Sequence, residues 1–196
     1  MFFGGVSYPQ NNFFNDVFIV DQADTLTPST IDSYAITWEH QQTTGLGPTP
    51  RADHTAIAIS ETKMLVFGGR SMASGFLRYL NDAYILDTSS TPPTWEKLYT
   101  TGPKPGVRSG HTAVVHQNKM YVFGGQSDQG YYNDLFALDL GNYHWEKVKS
   151  VGKLPEPRAG HVAVIHGDRI FITCGASSTA VYSDLFSYNF EFKRWQ

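Results

Sequence analysis

The sequence predicts an all-β protein of about four stacked four-stranded antiparallel sheets, the first one incomplete. Three observations carry that prediction. A tryptophan recurs at Trp38, Trp95, Trp145 and Trp195, with gaps of 57, 50 and 50 residues. An Arg-x-x-His follows in step at Arg51/His54, Arg108/His111 and Arg158/His161. Between these marks, short apolar runs are separated by Gly, Asn and Asp, and no segment sustains a helical period. A repeat of this length is a small sheet that cannot bury its own faces and stacks on copies of itself.

The clearest copy runs from Pro105 to Val148. It reads as a loop, a first strand (HTAVV, from His111), a polar turn at Gln117–Lys119, and a second strand ending at Phe123. Gly124-Gly125, a polar and aromatic loop, a third strand (DLFAL, from Asp134) and a fourth (YHWEKV, from Tyr143) complete it. The neighbouring copies repeat the order, placing repeat units at about residues 1–40, 41–98, 99–148 and 149–196, with no first strand in the opening unit.

Each recurring residue has a backbone or packing reason. Gly-Gly permits positive φ and close approach of neighbouring chains. Asn-Asp holds a loop end through side-chain to main-chain hydrogen bonds. Each Trp is expected to be buried between adjacent sheets. The in-register histidines read as architectural. Cys174, after an apolar strand, reads as a buried, inert thiol.

Pro-x-x-Arg-x-x-His-x-Ala (Pro105 to Ala113), Phe-Gly-Gly (Phe67 to Gly69, Phe123 to Gly125), Asn-Asp-x-x-x-x-Asp (Asn81 to Asp87, Asn133 to Asp139) and the Trp, in this order, resemble kelch repeats. The last copy departs, with Thr173-Cys174-Gly175 and Ser183-Asp184 in place of Phe-Gly-Gly and Asn-Asp. The resemblance implies a β-propeller with one four-stranded blade per repeat and the first strand lining the channel. Such propellers commonly close with about six blades. The chain is therefore expected to be a segment of a longer propeller, a four-bladed ring, or an open arc that self-associates.

Composition narrows the function. The net charge of −3 comes from 15 basic and 18 acidic side chains without a basic stripe, which argues against nucleic acid. No run of 18 apolar residues is present, so no membrane-spanning helix is expected. One cysteine excludes an internal disulfide and favours a reducing, cytoplasmic setting. The pairs His111/His116 and His161/His166 are five apart, which on a strand points them to opposite faces. No metal, cofactor or catalytic residue is assigned. There is no Gly-x-Ser-x-Gly elbow, phosphate loop or dinucleotide fingerprint.

The resemblance implies a non-catalytic module that presents loops of one face to a protein or peptide, in an adaptor, scaffold or substrate-receptor role. Galactose oxidase shares this propeller type, so a metal-dependent enzyme is the alternative; a third reading is purely structural blades of a larger ring. The expected partner-binding residues are Arg70, Phe76, Arg78, Tyr131 and Tyr182, because aromatic and arginine side chains anchor interfaces. Arg51, Arg108 and Arg158 join them, as guanidinium groups suited to an acidic peptide or a free carboxylate. The competing reading is that these three arginines brace their loops by bonding backbone carbonyls or the adjacent blade's aspartate, with Asp16, Asp82, Asp134 and Asp184 as the partners on offer.

Overall fold

The structure is a computed structural model and describes residues 1–21, 37–72 and 75–196. The expected first-strand to fourth-strand order appears in consecutive sheets packed face to face. Blade I holds β1 (Phe2–Ser7), β2 (Asn12–Asp21) and β3 (Thr37–Gln41). Blade II holds β4 (Thr44–Gly45), β5 (Thr55–Ala58), β6 (Lys63–Ser71), β7 (Arg78–Asp87) and β8 (Thr94–Leu98). Blade III holds β9 (Thr112–His116), β10 (Lys119–Phe123), β13 (Leu135–Asp139) and β14 (Trp145–Lys147), with a two-strand hairpin β11 (Gln126–Ser127) and β12 (Gly130–Tyr131) beside it. Blade IV holds β15 (Val151–Gly152), β16 (Val162–His166), β17 (Arg169–Thr173), β18 (Leu185–Asn189) and β19 (Arg194–Trp195). The innermost strands β5, β9 and β16 lie next to one another.

Blades II and IV have a fifth edge strand, and blade III a single bridge in its place, in segments that the sequence reading assigned to loop. Thr44–Gly45 runs parallel to Thr94–Trp95, Val151–Gly152 runs parallel to Arg194–Trp195, and Thr101 bridges His144 in the same way. The linker leaving one blade thus crosses to the outer edge of the next. A glycine seven residues after each Trp marks the crossing (Gly45, Gly102, Gly152). A Cβ on Gly45 or Gly152 would stand 2.2 Å from the carbonyl oxygen of Trp95 or Trp195.

The core lies between blades. One cluster joins Leu65 and Phe67 of blade II to Met120, Val122, Leu138 and Trp145 of blade III. A second joins Val114, Phe123 and Leu135 of blade III to Ile170, Ile172, Tyr188 and Trp195 of blade IV. A third joins Phe3 and Val17 of blade I to Met64, Val66, Tyr84 and Trp95 of blade II. In each, the Trp of one blade meets the Phe of the preceding blade: Phe3–Trp95 at 5.0 Å, Phe67–Trp145 at 5.1 Å and Phe123–Trp195 at 5.1 Å between ring centroids.

Two expectations are corrected here. Trp38 occupies the same register as the other tryptophans but is 54% exposed; it meets the ring of Phe2 of its own blade at 4.7 Å, and among the described residues no phenylalanine of another sheet lies beneath it. Cys174 is exposed, in a left-handed backbone conformation (φ 63°), with the Thr173 hydroxyl 3.6 Å from its sulfur.

Candidate functional site

The arginines of Arg-x-x-His build a corner between blades. Arg108 is 1% exposed. Its Nη1 donates to Asp134 Oδ1 (2.8 Å) and to the Gly124 carbonyl (2.8 Å), its Nη2 to Asp134 Oδ2 (3.3 Å), and its Nε to the Gly106 carbonyl (3.2 Å). Arg51 makes the same fork onto Asp82 and the Gly68 carbonyl, and Arg158 onto Asp184 and the Cys174 carbonyl. Each aspartate belongs to the arginine's own blade, rather than to the adjacent one. The fork holds the Asp184 carboxyl below the usual aspartate range, the Arg158 hydrogen bond being the main cause. Tyr132 lies beneath Arg108 at 4.6 Å and Tyr182 beneath Arg158 at 4.2 Å, where the ring face favours the cation.

The main chain of the same arginine binds the preceding blade. Arg108 N donates to the Leu80 carbonyl and its own carbonyl accepts from Gly69 N, both at 2.9 Å. Arg158 does likewise with Tyr132 and Gly125, and Arg51 with Phe14 and Gly5. One residue therefore staples two sheets, its side chain to its own blade and its backbone to the one before.

The histidine three residues on completes the corner. His111 Nε2 is hydrogen-bonded to the Thr55 hydroxyl (3.0 Å), and His161 Nε2 to that of Thr112 (2.8 Å), each across a blade junction. Their rings lie edge-on to Phe67 and Phe123. The first glycine of Gly-Gly leaves room for this. At Gly68 a Cβ would stand 2.8 Å from His111 Cε1 and 3.0 Å from the Arg108 carbonyl oxygen; at Gly124 both distances to the next corner are 2.9 Å. Burial holds His54 and His161 at a pKa of about 4, with the adjacent arginine acting in the same direction, and pushes His111 well down. All three rings are neutral at pH 7.

This corrects the expectation that Arg51, Arg108 and Arg158 present themselves to a partner. Their donors are consumed inside the fold, and removing one member of such a buried pair costs about 3–5 kcal/mol. Tyr182 is corrected in part: it is half-buried under Arg158, with its hydroxyl donating to Ser177 (3.2 Å).

What remains open is the rim formed by hairpin tips above the corners. Arg70 Nε donates to Asp53 Oδ2 (2.5 Å) and its Nη2 to the Tyr8 hydroxyl (3.0 Å), joining the tips of blades I and II. Phe76 is 75% exposed and Arg78 is exposed on the same β6–β7 hairpin, where Ser71 pairs with Arg78. Tyr131 is half-buried opposite Gln126 in the blade III hairpin. Met72, Leu77 and Val181 are exposed apolar residues on these tips that the sequence reading did not single out. Their signal was present: apolar residues in otherwise polar loops. Among the described residues, no three His, Cys, Asp or Glu side chains group to hold a metal ion.

Comparison with known proteins adds the lineage to this geometry. The model of the KLHDC2/KLHL20/DRC7 Kelch-repeats domain matches residues 1–196. The chain belongs to the kelch-repeat family. Its arginine–histidine corner is thus a junction between kelch blades. The chain is 31% identical over 121 residues to acyl-CoA-binding domain-containing protein 4 of Arabidopsis thaliana, covering 61% of this chain and 17% of that protein. It is 35% identical over 135 residues to host cell factor 1 of Homo sapiens, covering 63% and 6%. It is 32% identical over 104 residues to Rab9 effector protein with kelch motifs of Xenopus laevis, covering 53% and 28%. These matches span less than a third of each relative. The solved structure of YjhT superposes with a TM-score of 0.66 at 21% identity, covering 84% of this chain and 56% of that one, and shares the fold.

Proposed function

We propose that this chain is a non-catalytic protein-interaction module whose hairpin-tip rim receives the partner. The observation that carries this reading is how the polar chemistry is divided. The recurring arginines, aspartates and histidines are spent inside the blade junctions. The rim keeps exposed aromatic and cationic groups, chiefly Tyr8, Phe76 and Arg78. Aromatic rings flanked by arginine are the usual anchors of protein interfaces. Kelch relatives include a protein named as a Rab9 effector, which supports an adaptor or scaffold role. A single exposed thiol fits a reducing, cytoplasmic setting.

A photo-crosslinking residue placed at Phe76 and, separately, at Lys119 on the opposite ends of the strands tests the reading. A protein recovered from position 76, and lost on Arg78→Glu, supports it. Recovery from position 119 alone contradicts it. Copper or iron held in stoichiometric amount after chelation favours the metal-dependent enzyme instead.

A further inference from the structure

The junction between blades III and IV differs from the one before it at the strand ends remote from the rim. Between blades II and III that end is mainly aliphatic: Leu65 and Ile85 of blade II pack with Leu138, Leu140 and Tyr143 of blade III. The matching residues between blades III and IV are Tyr121 and Ala137, then Tyr188, Phe190 and Lys193. Ala137 has less bulk than Ile85, and two leucines give way to tyrosines. A cleft of about 340 Å³ opens there, lined by Lys119, Tyr121, Lys149, Tyr188, Phe190 and Lys193 together with Glu146. That volume lies at the lower end of the roughly 300–1,000 Å³ that small-molecule sites occupy.

Tyr188 is the informative residue. It is 1% exposed, and its ring is held by Trp195 (5.1 Å) and by Phe190, edge-on at 5.7 Å between centroids. Its hydroxyl makes no hydrogen bond among the described residues. Burial pushes its pKa up to about 12, with Tyr121 and Glu146 acting in the same direction. Both of those line the cleft, so the hydroxyl faces it and stays protonated at pH 7. A buried donor without a partner carries a desolvation penalty that an incoming acceptor relieves. The cations supply more donors. Lys119 is spent on Glu146 (2.9 Å), and Lys147 sends its ammonium to the Phe136 ring. Lys149 and Lys193 are exposed and form no ion pair among the described residues. The next cleft inward shares Tyr121 and Phe190 as its wall but carries the carboxylates of Asp168 and Glu191.

We propose that the cleft between blades III and IV binds a phosphate ester that carries an aromatic ring. The ring lies against Tyr121 and Phe190, and the phosphate accepts from the Tyr188 hydroxyl and from the ammonium groups of Lys149 and Lys193. A phosphate monoester brings three acceptor oxygens and a charge of about −1.5 to −2 at pH 7, which suits one neutral donor and two uncompensated cations. A carboxylate leaves one of those donors without an oxygen. Asp168 and Glu191 repel the anion from the neighbouring cleft, which fixes the direction in which the ligand lies. The site is at the far end of the blades from the rim and does not depend on what the rim receives.

Isothermal titration calorimetry of the full chain with phenyl phosphate tests the proposal. The expected result is one site per chain, with inorganic phosphate and benzoate each binding about tenfold more weakly or worse. Tyr188→Phe keeps the ring, removes only the hydroxyl and weakens phenyl phosphate about tenfold. Lys149→Glu combined with Lys193→Glu abolishes the binding and leaves the melting temperature near wild type, because both side chains are exposed. A nucleoside monophosphate and a phosphotyrosine peptide, titrated in parallel, separate a free nucleotide from a modified protein as the source of this chemistry. Absence of phenyl phosphate binding at millimolar concentration overturns the proposal. Equal affinity for inorganic phosphate or benzoate does so too, as does affinity that survives Tyr188→Phe or the loss of both lysines.

Discussion

Trp38 and Trp145 sit at the same register of equivalent strands, yet Trp38 is 54% exposed and Trp145 fully buried. The strand is not what differs. Trp145 has Phe67 of the preceding blade beneath it; among the described residues Trp38 meets the ring of Phe2 of its own blade alone. Burial here belongs to the junction between blades. The same holds for the arginine corner, which exists only where one blade follows another. In a solenoid-like array, stability is a sum of unit and nearest-neighbour terms, and in this chain the neighbour term carries the core.

That comparison can be broken by mutation. The largest expected effect is Trp145→Ala, at about 3–5 kcal/mol, while Trp38→Ala, at a half-exposed ring, stays within about 0.5 kcal/mol. Urea unfolding of both variants reads the contrast, and equal losses would place the core inside blades. Next comes Asp134→Ala, which strands the Arg108 charge and should cost about 3–5 kcal/mol. Thermal unfolding checks it, and a melting temperature near wild type would mean the fork is dispensable.

Acid sharpens the same point. His54 and His161 titrate near 4 in the folded chain and near 6.5 when unfolded, so between those values the unfolded chain binds more protons. Stability is full above about pH 6.5 and is lost as pH falls towards 4, by about 1.4 kcal/mol per histidine for each pH unit within that window. A melting temperature flat from pH 7 to 4.5 would contradict neutral, buried rings. The smallest expected effect is Phe76→Ala with Arg78→Glu: both side chains are exposed, so the melting temperature should barely move while partner crosslinking is lost.

Much of this was legible in the sequence because repetition fixes register. The Trp spacing and Gly-Gly located the sheets, and Asn81-Asp82 and Asn133-Asp134 located the loop ends. The direction of the arginine side chains was not legible, since the same Arg-x-x-His serves a solvent-facing or an inward fork; only the approach of Asp82, Asp134 and Asp184 decides it. The crossover strands were missed because two residues such as Thr44–Gly45 carry no alternation to read. Trp38 was misjudged because a residue's burial across a junction depends on a blade that its own strand does not contain.

A double-mutant cycle on Phe67 and Trp145 tests the junction most directly. The two side chains belong to different blades and touch only across the interface. The account predicts a coupling energy of about 1 kcal/mol or more between Phe67→Ala and Trp145→Ala. Losses that add to within about 0.3 kcal/mol would contradict it, because each ring would then be stabilising its own sheet alone.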